Sequence, residues 1–335
     1  MRAAALDYER RELVELAMPE PRIEDPGQVL FRVREIGVCG TDRELAAFRI
    51  GFPPAGGSVM VLGHEAVGQV VETGGAAAGI ARGDWVVPMI RRACAPLCIA
   101  CARGRRDLCV TGRAFERGIF GLHGYFCDYA VDSAADLVRV PAGLLDFAVL
   151  IEPLSVVEKA VERALRLREL PPETALVLGA GPIGLLAALA LQLRGLDVTV
   201  RSLEPRDDPR ARLIAAAGLR YTDGEQRADV VIEATGSPQA AVAALNTLPP
   251  LGVCAILGSP NTSGEIPYRD MILGNKVIFG SVNASPEAFR QAVDDLGQFD
   301  RRVLDGMVRR ARFSDFHATV PAPPGGIVKT VHVLD

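Results

Sequence analysis

Lysine is nearly missing from this chain of 335 residues. Lys159, Lys276 and Lys329 are its only lysines, and arginine supplies the rest of its 37 basic side chains. There is no basic excess either: 41 acidic residues leave a net charge of −4. That removes nucleic acid as the main partner, because phosphate backbones call for clustered cationic surface. No long hydrophobic run is present. The longest, Pro182–Leu193, is interrupted by Gly184 and Gln192 and falls short of the roughly 20 residues a membrane span needs. The first ten residues carry Arg2, Asp7, Glu9 and Arg10 and lack the apolar stretch of a secretory signal, so a cytoplasmic location with no membrane partner is expected. Internal repeats and low-complexity segments are also absent. What is there, 49% hydrophobic and 23% charged residues, is the composition of an ordered globular protein. Its length suits about two domains.

An even cysteine count is lacking too. Seven cysteines cannot all pair within one chain, and in a reducing compartment they stay available to metal. Four of them form a C-x3-C-x2-C-x7-C cluster, Cys94, Cys98, Cys101 and Cys109, beside Arg91, Arg92, Arg103, Arg105 and Arg106. Four thiolates can enclose one Zn2+ tetrahedrally and leave no open position, which makes such a site structural. The alternatives are chance clustering, disulfides or an iron–sulfur cluster, although nothing else in the sequence reads as electron transfer. A second set is scattered: Cys39 before Gly40-Thr41-Asp42, His64 in Gly63-His64-Glu65, and Glu152 in Ile151-Glu152-Pro153-Leu154-Ser155. A thiolate, an imidazole and carboxylates can hold zinc with one position left for substrate. Spacing alone equally allows His64 to be a hydrogen-bonded turn residue. Cys127 and Cys254 lie in apolar or strand-like surroundings and read as small buried hydrophobes.

Up to about residue 130, short β-prone runs broken by glycine and proline (28–36, 66–73, 85–90 and 125–131) predict an all-β, barrel-like core. Over 147–167 the period turns helical, with Val156, Val157, Ala160, Val161, Ala164 and Leu165 on one side, a helix placed to bridge two domains. Strands at 175–178, 197–201, 228–233, 253–257 and 277–281 then alternate with helices, including 210–217 and 238–245. That alternation is the pattern of a parallel, doubly wound α/β sheet. A helix over 287–298 and a strand over 327–333 close the chain.

The first of these later strands runs into Gly179-Ala180-Gly181-Pro182-Ile183-Gly184 and then a helix, the context in which G-x-G-x-x-G binds a dinucleotide. Gly179 suits the tight turn, Gly181 lets backbone approach a pyrophosphate, and Gly184 allows the helix to pack on the sheet. Pro182 and Ile183 complete this contact. The second strand ends in Arg201-Ser202-Leu203-Glu204-Pro205-Arg206. Ser202 stands where NAD binders place an acid, and Arg201 and Arg206 flank it as partners for a 2′-phosphate. NADP is favoured, while Glu204, two residues on, keeps NAD open.

Together these residues resemble the zinc-dependent medium-chain alcohol dehydrogenases over essentially the whole chain. Gly37-Val38-Cys39-Gly40-Thr41-Asp42-Arg43-Glu44, Leu62-Gly63-His64-Glu65-Ala66 and Gly280-Ser281-Val282-Asn283 are most similar to the microbial glucose (aldose) 1-dehydrogenases. The resemblance implies a GroES-like β-barrel catalytic domain over 1–153 plus 310–335, with a zinc lobe at 91–110, and a Rossmann dinucleotide-binding domain over 154–309. It implies two Zn2+ per chain: a catalytic ion on Cys39, His64 and Glu65, with Glu152 binding directly or through water, and a structural ion on the four clustered cysteines. By the same resemblance Thr41 starts a proton relay from the substrate oxygen, and Glu116, Glu152 and Asn283 lie by the sugar hydroxyls or nicotinamide. The Ala234-Thr235-Gly236 and Leu257-Gly258-Ser259 turns and Ser281 line the cofactor. A homo-oligomer, dimer or tetramer, goes with this family. The implied activity is oxidation of an aldose anomeric hydroxyl to a lactone with NADP or NAD.

Three features depart from the pattern. Cys94 and Cys98 are separated by three residues rather than two, and Ile90 and Val156 stand where some sugar enzymes carry polar contacts. Glu152-Pro153-Leu154-Ser155-Val156 is also the form seen in sorbitol-type enzymes. A polyol or secondary alcohol dehydrogenase is therefore the alternative enzyme. A non-catalytic NADP-binding sensor is the alternative of another class, and it has no need of an open metal site.

Overall fold

Val29, Phe31 and Val33 are fully buried and alternate with half-buried neighbours along the strand Gln28–Val38, as a strand with one face on a core requires. The alternation then slips so that Ile36, not Glu35, is buried. The slip coincides with a register shift against Glu65–Thr73 between Val33 and Glu35, and such bulges bend a strand and increase its twist. In this computed structural model, which describes residues 1–258, 264–323 and 325–334, the bent strand organises the first of two units. It pairs antiparallel with Glu65–Thr73 on one edge, and with Tyr129–Ser133 and Lys329–Val333 on the other. The sheet continues through Trp85–Pro88 to Leu137–Val140 on one side and to Val308–Arg312 on the other, and a three-stranded sheet of Glu12–Ala17, Arg2–Asp7 and Val59–Val61 accompanies it.

This unit comprises Met1–Glu152, Val308–Gly325 and Lys329–Asp335. The late segment is part of its core: Phe313 and Phe316 pack against Phe126, with ring centroids 5.5 and 5.9 Å away. Each such side chain contributes roughly 1.5–3 kcal/mol by burial. The aromatic pair Tyr125-Phe126 lies outside the strand, which runs from Tyr129 to Ser133. Instead, the amides of Gly124, Tyr125 and Phe126 donate to the carbonyls of Val61, Gly63 and Leu62 at 2.7–2.9 Å. These residues are buried and apolar because they brace a turn from within the core.

The second unit, Pro153–Met307 with Gly326–Val328, holds six parallel strands in the order Arg220–Thr222, Asp197–Arg201, Thr174–Leu178, Val230–Glu233, Val253–Ile256, Val277–Gly280. Ranked along the unit this is 3-2-1-4-5-6, the Rossmann order, whose ligand crevice opens beside the first and fourth strands. The apolar run Pro182–Leu193 is a helix in which every residue from Gly184 to Leu191 is buried, so its hydrophobicity belongs to the core. Cys254 lies in this unit's core and Cys127 in a small cluster with Ala3 and Val61; burial pushes both thiols up to about 12. Ala142–Leu150 forms a 3-10 helix, and the α-helix proper is Ile151–Leu167. No helix among the described residues is long and apolar enough to cross a membrane.

Candidate active site

Gly63 has φ +88°, and an added Cβ would lie 2.9 Å from the Phe126 amide nitrogen. Only glycine makes this turn without strain, and it delivers His64 and Glu65 at the start of the strand Glu65–Thr73. Cys39 follows the last residue of the long strand, Val38, and caps the helix Gly40–Ala46. Its Sγ accepts from the Thr41 amide at 3.2 Å, and its own amide donates to Asp42 Oδ2 at 2.9 Å.

These elements converge. Cys39 Sγ lies 3.0 Å from His64 Nε2, and the ligand atoms of Cys39, His64 and Glu65 all fall within 4.8 Å of one another. His64 Nδ1 faces Asp42 Oδ1 at 3.4 Å, an arrangement that turns Nε2 toward the thiol and resembles the carboxylate–histidine–metal geometry of metal sites. Lys329 Nζ donates to both Glu65 oxygens, at 2.7 and 2.6 Å. Burial works against the His64 imidazolium, but Cys39 and Asp42 beside it hold its pKa well above the usual value. Burial and then the Glu65 charge push the Glu152 carboxyl up to about 8. Glu116 adds to that push and is itself paired with Arg91.

The donor set suits a divalent cation. Cys39, Asp42, Glu65 and Glu152 are acidic groups crowded into a buried space that has Lys329 and His64 as its cations, and a soft thiolate with an imidazole and carboxylates is a zinc set. The lobe fits zinc by geometry as well. Cys94 and Cys101 sulfurs are 3.7 Å apart, and those of Cys98 and Cys109 are 4.0 Å apart; a tetrahedron with Zn–S near 2.3 Å has edges of about 3.8 Å. Amides of Cys101 and Val110 pull the Cys98 thiol down to about 6, which favours the thiolate that metal needs. The lobe is tied to the barrel by buried charge. Arg92 bonds Tyr125 Oη at 3.2 Å and Asp136 at 3.1 Å and also pairs with Asp132, while Arg106 pairs with Asp136. Replacing Cys98 with serine is therefore expected to remove one zinc and lower the melting temperature by several degrees, with little change in KM. Scanning calorimetry with metal analysis checks this.

In the second unit, Gly179 follows the strand Thr174–Leu178, Gly181 caps the helix, and Pro182 and Ile183 open it. A Cβ on Gly184 would lie 1.9 Å from the Gly179 carbonyl oxygen, so helix and loop touch there without room for a side chain. A Cβ on Gly181 would meet nothing within 4 Å, leaving the helix N-terminus open to an anion. Thr235 and Gly236 are held by Glu233, whose Oε1 accepts from their amides at 2.7 and 3.1 Å. The Leu257 and Gly258 amides donate to the Glu233 carbonyl at 2.9 and 3.2 Å. Ser259 lies outside the described residues. Ser202 is buried and bonds Glu204, while Arg206 is exposed. The Ser281 amide donates to Ile256, and Asn283 is buried at φ +60°, a conformation asparagine tolerates.

Three residues at these sites make contacts that motif reading passed over: Asp42, Lys329 and Glu233. Lysine scarcity was the available signal for one of them. All three lysine side chains are buried, as expected if a chain that otherwise uses arginine keeps lysine where a compact ammonium is needed.

Comparison with known proteins follows the same lines. Residues 145–331 match the family described as glucose dehydrogenase C-terminus, and residues 25–142 match the alcohol dehydrogenase GroES-like domain. The chain is 41% identical over 319 residues to a glucose 1-dehydrogenase of Thermoproteus tenax, covering 89% of this chain and 90% of that protein. It is 38% identical to a glucose 1-dehydrogenase of Methanocella arvoryzae, covering 90% of each. A solved structure of Haloferax mediterranei glucose dehydrogenase in complex with NADP, zinc and gluconolactone superposes with a TM-score of 0.91 at 32% identity, covering 100% of this chain and 99% of that one. In sequence and in fold, the chain belongs to the glucose 1-dehydrogenase family of the zinc-dependent medium-chain alcohol dehydrogenases.

Proposed function

We propose that the chain oxidises the anomeric hydroxyl of a glucose-type aldose to the lactone, with NADP as the favoured hydride acceptor and NAD as an alternative. The observation that carries this reading is the convergence of half-buried Cys39 with buried His64 and Glu65 in a relative of an enzyme whose structure holds NADP, zinc and gluconolactone. Zinc on such ligands supplies Lewis-acid polarisation of the sugar oxygen, and the nicotinamide accepts the hydride. Cys39, His64 and Glu65 would hold that ion, with Glu152 as a direct or water-linked partner, while Cys94, Cys98, Cys101 and Cys109 would hold the structural one. Asp42 keeps Nδ1 of His64 engaged, so that Nε2 stays a ligand.

Thr41, anchored through its amide to Cys39 Sγ, would take the proton released by the sugar. Glu116 and Glu152 are buried carboxyl groups suited to hydrogen-bond sugar hydroxyls, and a site built on such bonds rejects analogues that lack the hydroxyl. Gly179, Gly181, Pro182, Ile183 and Gly184 would bind the pyrophosphate, and Ser202 and Arg206 the 2′-phosphate. Thr235, Gly236, Leu257, Gly258, Ser259, Ser281 and Asn283 would complete the cofactor site.

Cytoplasmic operation belongs to the same proposal, since all seven cysteines are unpaired thiols that a reducing compartment preserves. So does a homo-oligomer, dimer or tetramer. Among the described residues the outer strand Val277–Gly280 pairs on one edge only, and Tyr268, Ile272 and Leu273 of the preceding helix are more than 70% exposed, surface that a second copy would cover. Initial rates on a panel of aldoses and polyols with NADP and NAD test the activity. Aldoses with NADP should give the highest kcat/KM, and polyols outpacing every aldose would overturn the reading.

A further inference from the structure

Glu204, three residues past the strand Asp197–Arg201, has a carboxylate that the proposed function leaves without a role. It accepts from the Ser202 hydroxyl and pairs with Arg210 Nη1 at 2.6 Å. Arg210 is in turn held from the other side, its Nε and Nη2 bonding Asp208 at 3.0 and 3.1 Å. Asp208 is fixed as the cap of the helix Pro209–Ala216. The Tyr221 hydroxyl donates to the carbonyls of Ser202 and Glu204, which pins the loop. A buried hydroxyl and one end of a pre-positioned guanidinium thus converge on a single anion. Those are the partners that a ribose 2′-phosphate at the end of the second Rossmann strand requires.

We propose that Glu204 is a built-in competitor for the 2′-phosphate of NADP, seated on Ser202 and Arg210 until the phosphate displaces it. The inference rests on reading the chain as an NADP-favouring dehydrogenase. Two anions cannot share the seat, because like charges at contact repel. NADP therefore binds with its phosphate contacts offset by the displacement of Glu204. NAD carries no such charge, and Glu204 can stay and accept from its ribose 2′-hydroxyl, as acids near this point do in NAD binders. The same side chain lowers NADP affinity and supports NAD, so the chain is a two-cofactor enzyme by design of one loop. Arg210 remains clamped by Asp208 when Glu204 leaves, so the seat is uncovered rather than dismantled.

The test is calorimetric binding of 2′-AMP and 5′-AMP to the full chain and to Glu204→Gln, together with cofactor kinetics. Glu204→Gln should bind 2′-AMP about tenfold tighter and 5′-AMP no tighter, and its NADP-over-NAD preference in kcat/KM should rise about tenfold. Adding Arg210→Ala should return 2′-AMP binding to the parent level or weaker. The proposal is overturned if Glu204→Gln binds 2′-AMP no tighter than the parent, or if 5′-AMP gains equally. Because 2′-AMP binding requires no sugar, failure here is read separately from failure of the aldose activity.

Discussion

Replacing Cys39 with serine is expected to lower kcat/KM for aldose oxidation by about three orders of magnitude or more, a loss equivalent to about 4 kcal/mol of transition-state stabilisation. It should also remove one of two zinc ions per chain. The substitution isolates the metal because it keeps the fold. Serine is a preferred helix N-cap, so it can take over the bond that Cys39 Sγ accepts from the Thr41 amide, and the bond from the residue 39 amide to Asp42 Oδ2 involves only backbone on that side. What serine cannot replace is a soft thiolate with a long bond to zinc. Cofactor affinity and melting temperature should stay close to those of the parent. Steady-state kinetics with metal analysis reads the result, and a serine variant that retains its turnover would refute the role of Cys39.

Lys329→Met should destabilise the protein by about 3–5 kcal/mol, the usual cost of removing one partner from a buried ion pair. For a unit of this size that corresponds to a fall in Tm of roughly 10 °C. Lys329 is 1% exposed and donates both bonds to Glu65, with Glu152 close enough to act on its charge. Burial opposes the Lys329 ammonium, but Glu65 and Cys39 raise its pKa above the ordinary 10.5. A raised pKa in a cation means that its stabilisation is fully present below the unfolded-state value and is lost only as pH climbs through the folded-state value. The gap between parent and variant should therefore be flat across neutral pH and narrow only in strong alkali. Adding Glu65→Gln should recover part of the loss, since the second change removes the stranded charge. Thermal melts of the single and double variants check both points.

How much of this was legible in the sequence depended on whether the signal was local. The strands around Val177, Val200 and Val231 were readable because a buried parallel strand must be apolar along its length, and Gly179 to Gly184 because tight turns and helix packing restrict residue type. The four lobe cysteines stood out as a metal-type cluster by their spacing alone, whereas Cys39, His64 and Glu65, scattered in sequence, were grouped only through the family resemblance, and the fold brings their ligand atoms within 4.8 Å of one another. Val308–Arg312 was not: its sequence is Val-Arg-Arg-Ala-Arg, an exposed edge strand held by pairing with Lys329–Val333 rather than by burial. Tyr125 and Phe126 looked like strand because the core and a strand ask for the same residues. Lys329 and Glu65 are 264 residues apart in the chain, and no spacing rule links them. Arg210 similarly meets Glu204 only when the loop after Arg201 folds back onto it.

The most direct test of the central claim is oxidation of glucose carrying deuterium at C1, with NADP as acceptor and the reduced cofactor analysed by mass spectrometry. If the chain removes hydride from the anomeric carbon, the deuterium appears in the nicotinamide and the product is unlabelled gluconolactone. Deuterium retained in the oxidised sugar would contradict the account.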